Sequence, residues 1–231
     1  MTSSIPRHIL VTTGIALTVF GSIIAALWPG SDGKTAILII LVNASLLAVY
    51  FSKIRDLAMA RLLLFGVVFG TVELVADALC VQITKTLDYT PAGSVMIWES
   101  PWWMPLAWTF VALQTGYLGA LALDRWGWRK GLAQAMIIGT IQIPFYEELA
   151  YYAGWWRYVD CRMIGHTPLY IIIAEALIVA GIAPMARIIL RESSNAKFAV
   201  LLGALAGLWS ILAGIFGYGI AEFIPNGFRL P

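Results

Sequence analysis

The 231-residue chain is 60% hydrophobic and only 12% charged, with a mean hydropathy of +0.83, where soluble domains run near 45–50% apolar and about 25% charged. That balance excludes a soluble globular fold, and at roughly 20 apolar residues per crossing it leaves room for one integral-membrane domain over residues 1–231. A net charge of +2, with the basic residues spread through the loops, excludes a nucleic-acid interface.

The N-terminal MTSSIPRHIL has one arginine ahead of an apolar run and no small-residue cleavage site, so it reads as the start of a first span rather than a removed signal peptide. Apolar runs of spanning length then fall at about 8–28, 35–52, 60–84, 101–123, 131–155, 168–190 and 198–224. They predict an all-α, polytopic transmembrane bundle of about seven helices. Strands do not fit, because the runs lack period-two alternation and backbone groups in lipid must be satisfied within each segment. The N-terminus and the second, fourth and sixth loops hold Arg7, Lys53, Arg55, Arg61, Arg125, Arg129, Lys130, Arg187, Arg191 and Lys197, against five basic residues on the other side. This bias predicts a cytoplasmic N-terminus and a C-terminus on the opposite face. The two longest loops, about 85–100 and 156–167, then face outward and are rich in tryptophan, tyrosine and proline. Cys80 and Cys161 have no metal-type spacing, and a bridge between them has no support in the sequence.

The third and fourth spans echo the fifth and sixth: a Gly-Thr pair (Gly70-Thr71, Gly139-Thr140), acidic residues one or two turns on, a loop, and a proline-opened helix. A duplicated helical hairpin explains this, and so does the general likeness of membrane hairpins. The last span carries small-residue stretches, LLGALAGLWS and AGIFGYGIAEF, that let helices approach closely. Glu222 near its outer end reads as interfacial.

An ionisable group at mid-bilayer costs roughly 2.5–3.5 kcal/mol on insertion scales and marks a function by default. Besides Glu222, five acids fall in the predicted spans: Glu73 and Asp77, four apart on one face of the third; Glu147 and Glu148 in the fifth; and Glu175 in the sixth. No lysine or arginine lies at matching depth, so burial and like charge favour protonation of some of them. Glu73, Asp77, Glu148 and Glu175 are the expected catalytic set, with one of the adjacent pair Glu147 and Glu148 directed away. His166 precedes the sixth span and is the only histidine near these acids. The Glu-x-x-His pairs of di-metal bundles are missing, so neither metal nor cofactor is expected. Trp108, Tyr146, Tyr151, Trp155 and His166 are the expected substrate contacts; most other aromatics belong to interface belts. Aromatic faces beside protonatable acids suit a carbocation.

Glu73 to Asp77, Asp88-Tyr89 and SPWWMPLAW (100–108), followed by Glu148, GWWRY (154–158) and GHTPLY (165–170), resemble the two-part pattern of membrane carotenoid-biosynthesis proteins of the carotenoid hydratase type. The likeness covers about 100 residues and rests on the PLAW and W-x-Y…G-x-PL elements. Where that family continues with Asn and a later Trp after the second PL pair, this chain has Tyr170 and then isoleucines. GHTPLY and the acidic helix before it also resemble the emopamil-binding, sterol-isomerase type of membrane protein. Both resemblances imply an integral-membrane enzyme, a hydratase, isomerase or cyclase, in which a buried acid protonates a C=C bond of a lipophilic isoprenoid and aromatic faces stabilise the cation. Asp77 and Glu73 would be the proton donor and its partner, with Glu148 and Glu175 as base or water-orienting groups. A proton- or cation-coupled transporter lined by the same carboxylates, and a structural membrane subunit, are the alternatives. A prenyltransferase is disfavoured, since Arg157 is the one basic residue placed to meet a diphosphate.

Overall fold

A computed structural model describes residues 6–191 and 195–223. Among these, six helices are long and apolar enough to cross a membrane: α1 (Arg7–Leu27), α2 (Gly33–Lys53), α3 (Leu57–Ala78), α4 (Met104–Tyr152), α5 (Leu169–Arg191) and α6 (Ala196–Tyr218). At 1.5 Å per residue, the 21 residues of α1 or α2 rise about 31 Å, the depth of a hydrocarbon core. The described chain is thus all-α and multi-pass by composition. The last residue of the predicted final span and the side on which the C-terminus emerges lie outside the described residues.

Four of the starts carry a local signal. Pro6 precedes α1, Asp32 caps α2 through Lys34 N at 2.8 Å, and Asn195 caps α6 through Phe198 N at 2.9 Å. Asp56 caps α3 by accepting from Ala58 N and Met59 N. The same carboxylate receives Arg7 Nε and Nη2 at 2.6 and 2.8 Å and the Tyr50 hydroxyl at 2.8 Å, which ties α1, α2 and α3 together at one end of the bundle. At that end Arg187 and Arg191 of α5 also bracket Asp124 of α4.

The predicted fourth and fifth spans are joined in the 49-residue α4, which leaves helical geometry at Gly127 (φ 73°, ψ 178°). A methyl built on Gly119 would sit 3.6 Å from Ala135 Cβ, although sixteen residues of straight helix cover about 24 Å. The two arms, 104–126 and 128–152, therefore fold back on each other about that single glycine. Only glycine adopts such a backbone readily.

At the opposite end, the connections after α3 and α4 build a cap of three two-residue ladders. β1 (Leu87–Asp88) pairs with β4 (Arg157–Tyr158), which binds the two connections together. β2 (Met96–Ile97) pairs with β3 (Ser100–Pro101), and β5 (Met163–Ile164) with β6 (Thr167–Pro168). The last two hairpins, MIWESP and MIGHTP, have the same register. Cys80 and Cys161 are both free thiols.

Two large packed regions and a smaller one, Leu123, Ala135, Val179 and Ala183, hold the bundle. Met59, Leu62, Phe65 and Phe69 of α3 are fully buried against Ala112 and Leu113 of α4, Ile182, Ala186 and Ile189 of α5 and Ala199 of α6. A second cluster, with Ala36, Ile40, Tyr89, Trp103, Ala150 and Trp155, lies beneath the cap. Phe20, Leu38, Ile141 and Phe216 lie exposed on the outside of the bundle, as a lipid-facing surface requires.

Gly127→Ala should cost about 1–3 kcal/mol, since the added Cβ is strained at that φ and ψ. Gly214→Ala, where an added methyl meets nothing within 4 Å, should leave stability unchanged or slightly raised. Thermal denaturation of the two variants in one detergent checks the contrast.

Candidate functional site

Between the α1–α2 hairpin and helices α3, α4 and α5 lies a cavity of about 150 Å³. Asp77 lies at the cap end of α3, Glu147 five residues before α4 ends, and Glu175 six residues into α5, so all three sit within about two turns of the cap. Gln114 lies ten residues into α4 and Asn43 at the middle of α2, or about 15 Å from the helix ends. The cavity therefore runs from the cap to the middle of the spans.

Cap residues and helix residues make its wall together. Tyr89, Trp103, Trp155, Trp156 and Tyr158 come from the cap, Trp108 and Tyr146 from α4. Trp155 Nε1 donates to Thr35 Oγ1 at 2.8 Å, which fastens the cap to the start of α2. Asp77 is buried, and its Oδ2 accepts from the Tyr89 hydroxyl and the Ser100 hydroxyl, each at 2.9 Å. Glu147 is buried too; its Oε2 accepts from Trp156 Nε1 at 2.6 Å and its Oε1 from the Tyr158 hydroxyl at 3.3 Å. Each of these carboxyls thus receives a tyrosine from the cap connection that follows its own helix. Burial, reinforced by the neighbouring carboxyl, pushes the Tyr89 and Tyr158 hydroxyls well above the ordinary tyrosine range, so both remain donors at any working pH.

Glu175 stands apart. It is 3% exposed, lines the cavity, and its Oε2 has no hydrogen-bond partner. Gly139 brings the second arm of α4 close beneath it: a Cβ there would lie 2.8 Å from the Glu175 carbonyl oxygen. Ser22 Oγ, Trp108 Nε1 and the Tyr146 hydroxyl are also buried without a partner, and all belong to cavity-lining residues. An unmet buried polar group costs about 1–3 kcal/mol, so four around one cavity mark it as a place for something other than hydrocarbon side chains.

Of the residues expected from sequence, Asp77, Glu175, Trp108, Tyr146 and Trp155 line this cavity. Glu73 does not: it is buried one turn from Asp77, turned toward α6, where its Oε2 accepts from the Ser210 hydroxyl. Glu148 also lies elsewhere, since neighbours on a helix point about 100° apart, and it is Glu147 that faces the cavity. Glu148 instead accepts from His166 N at 2.6 Å and bonds His166 Nδ1 at 2.8 Å. Tyr151 stacks on that imidazole at 3.5 Å and Tyr152 meets it edge-on at 5.4 Å. Glu148, Tyr151 and His166 therefore form a clamp on the outside, holding the β5–β6 hairpin against α4. Ser22, Asn43, Gln114 and Gln142 line the cavity without having been expected to. For Asn43, Gln114 and Gln142 the signal was a polar side chain deep in an apolar run. Among the described residues no three His, Cys, Asp or Glu side chains converge as a metal site.

The cap is held electrostatically by Arg157 and Asp88, 2.8 Å apart across the β1–β4 ladder. Burial works to raise the Asp88 carboxyl, but hydrogen bonds from Thr90 and the Arg157 guanidinium outweigh it and hold the group below its ordinary value. A depressed carboxyl stabilises the fold fully above its unfolded value, about 3.9, and that contribution disappears as the pH falls through the lowered folded value. With Arg157 half exposed, the bridge is worth about 0.5–1 kcal/mol. The difference in denaturation temperature between the unaltered chain and Asp88→Asn should be small, constant from pH 8 to 5, and should close as the pH drops below about 4.

No curated protein and no solved structure matches the chain. The pattern of one family, described as a domain of unknown function, DUF6989, matches residues 74–221. That segment runs from the acidic end of α3 to the end of α6, takes in all three cavity acids and leaves out α1 and α2; the chain belongs to the DUF6989 family.

Proposed function

We propose that this is an integral-membrane enzyme that protonates a C=C bond of an isoprenoid lipid and directs the resulting cation to hydration, isomerisation or cyclisation. The observation that carries the reading is the convergence of Asp77, Glu147 and Glu175 on one cavity walled by tryptophan and tyrosine. Asp77 is the proton donor. Two hydroxyls bond its Oδ2, and they stabilise the carboxylate left when the proton moves from Oδ1 to an alkene carbon. The π electrons form the new C–H bond, and the cation left on the neighbouring carbon lies against ring faces such as Trp108 and Trp156, which offer about 2 kcal/mol or more each when desolvated. Loss of a proton to the Glu175 carboxylate, or addition of water with its proton passed there, ends the reaction. The likeness to carotenoid hydratase-type and sterol-isomerase-type membrane proteins supports the same elementary step.

We further propose seven crossings, counting the arms of α4 separately, with the N-terminus cytoplasmic, in line with the ten-to-five basic bias. The matching hairpins MIWESP and MIGHTP and the matching carboxyl–tyrosine pairs support a duplicated unit. Against a transport path, the end of the bundle away from the cap is filled by Met59, Leu62, Phe65, Ile182 and Ile189, all fully buried, which favours a dead-end pocket.

The test is turnover of polyprenyl or carotenoid substrates in D2O by the purified chain in nanodiscs. Product should carry one deuterium at the protonated carbon, and Asp77→Asn should lower the rate by about 10²-fold or more. Unchanged turnover in that variant removes Asp77 as donor; unchanged isoprenoid profiles in cells with and without the gene would remove the reaction class.

A further inference from the structure

The unpartnered groups around the cavity differ from their counterparts elsewhere in the chain. Buried hydroxyls on helices ordinarily satisfy themselves against the preceding turn: Thr109 bonds the Pro105 carbonyl, Thr115 the Val111 carbonyl and Ser210 the Gly207 carbonyl. Ser22, 1% exposed, does not. The indole N–H groups follow the same rule, with Trp103 on Ser94, Trp155 on Thr35, Trp156 on Glu147 and Trp209 on the Leu177 carbonyl. Trp108 Nε1 has nothing. An indole nitrogen donates and never accepts, so a pure hydrocarbon leaves it unmet, and only a ligand bearing an acceptor atom repairs it.

Ser22 belongs to α1, which with α2 supplies six lining residues (Thr18, Ser22, Ala36, Ile39, Ile40 and Asn43) from outside the segment that the family pattern covers. The acids and most of the aromatic wall come from within that segment. Of the unpartnered donors, Ser22 thus comes from outside the family segment, while Trp108 and Tyr146 come from within it beside the acids.

We propose that the cavity selects an oxygen-bearing isoprenoid, an alcohol, ketone or ether, over the corresponding hydrocarbon, with Trp108 and Ser22 as the residues that read the oxygen. The inference rests on the reading of this cavity as the reaction site and adds the chemical class of its substrate. Tyr146, whose hydroxyl is also unmet, is a further donor to the same atom or to a second oxygen.

The probes are tritiated geranylgeraniol and the C20 hydrocarbon with the same chain, each measured for equilibrium binding to the full chain in phospholipid nanodiscs against empty nanodiscs. The alcohol should bind about tenfold more tightly or better, as a site built to pair a polar group rejects the analogue lacking it. Trp108→Phe and Ser22→Ala should each cut that preference several-fold, Ser22→Thr should keep it, and Trp209→Phe, which removes an indole donor outside the cavity, should leave it intact. Unaltered elution and denaturation temperature show that a variant is folded. Equal binding of alcohol and hydrocarbon, binding of neither, or a preference that survives both Trp108→Phe and Ser22→Ala overturns the inference. Asp77→Asn separates it from the proton-transfer reading: that variant should bind the alcohol normally while losing deuterium incorporation, so selective binding without turnover sinks only the catalytic reading.

Discussion

Placing a carboxyl group among lipid tails costs several times the thermal energy, and besides Asp124 at the α4 tip, α3, α4 and α5 together carry five of them. Each must be turned inward or carried to the water interface, and that requirement fixes the rotation of all three helices. Asp77 and Glu147 are received by tyrosines of the cap, Glu73 by Ser210 of α6, and Glu148 by His166 at the surface. Glu175 keeps a fully buried oxygen without a partner. The aromatic cap follows from the same need, because indole and phenol carry their own donors into a dry region and keep a ring face for whatever lies beside them.

Fold class was legible because bilayer thickness imposes a length on every span: about seven apolar runs of that length stand out in the sequence, and the described residues hold six helices long and apolar enough to cross. The fold-back inside α4 was less legible. Its tip holds Asp124, Arg125, Arg129 and Lys130 around Gly127, which reads as a loop of several residues, yet the reversal takes a single glycine with helix on both sides. The two-residue ladders of the cap are too short for any periodicity to announce them.

Within the site, helix position told more than residue type. Asp77 and Glu175 were found from depth alone, since an acid that far into an apolar run has few places to go. Glu147 and Glu148 could not be separated in sequence: they differ by one step of rotation, and the decision belongs to Trp156 and Tyr158 on one side and His166 on the other. Ser22 carried no mark because serine is common in membrane helices; what sets it apart is a missing bond to its own backbone, which only coordinates reveal. Glu73 met its partner 137 residues away on α6, a distance no local pattern spans.

The one-glycine reversal in α4 bears on how the bundle packs. No loop separates the arms, and a methyl added at Gly119 would already be in van der Waals contact with Ala135 across the bend. The 49-residue segment is therefore a hairpin by its own local geometry, with its basic tip at one end. Helices α3 and α5, which contribute the flanking acids, both pack against that hairpin.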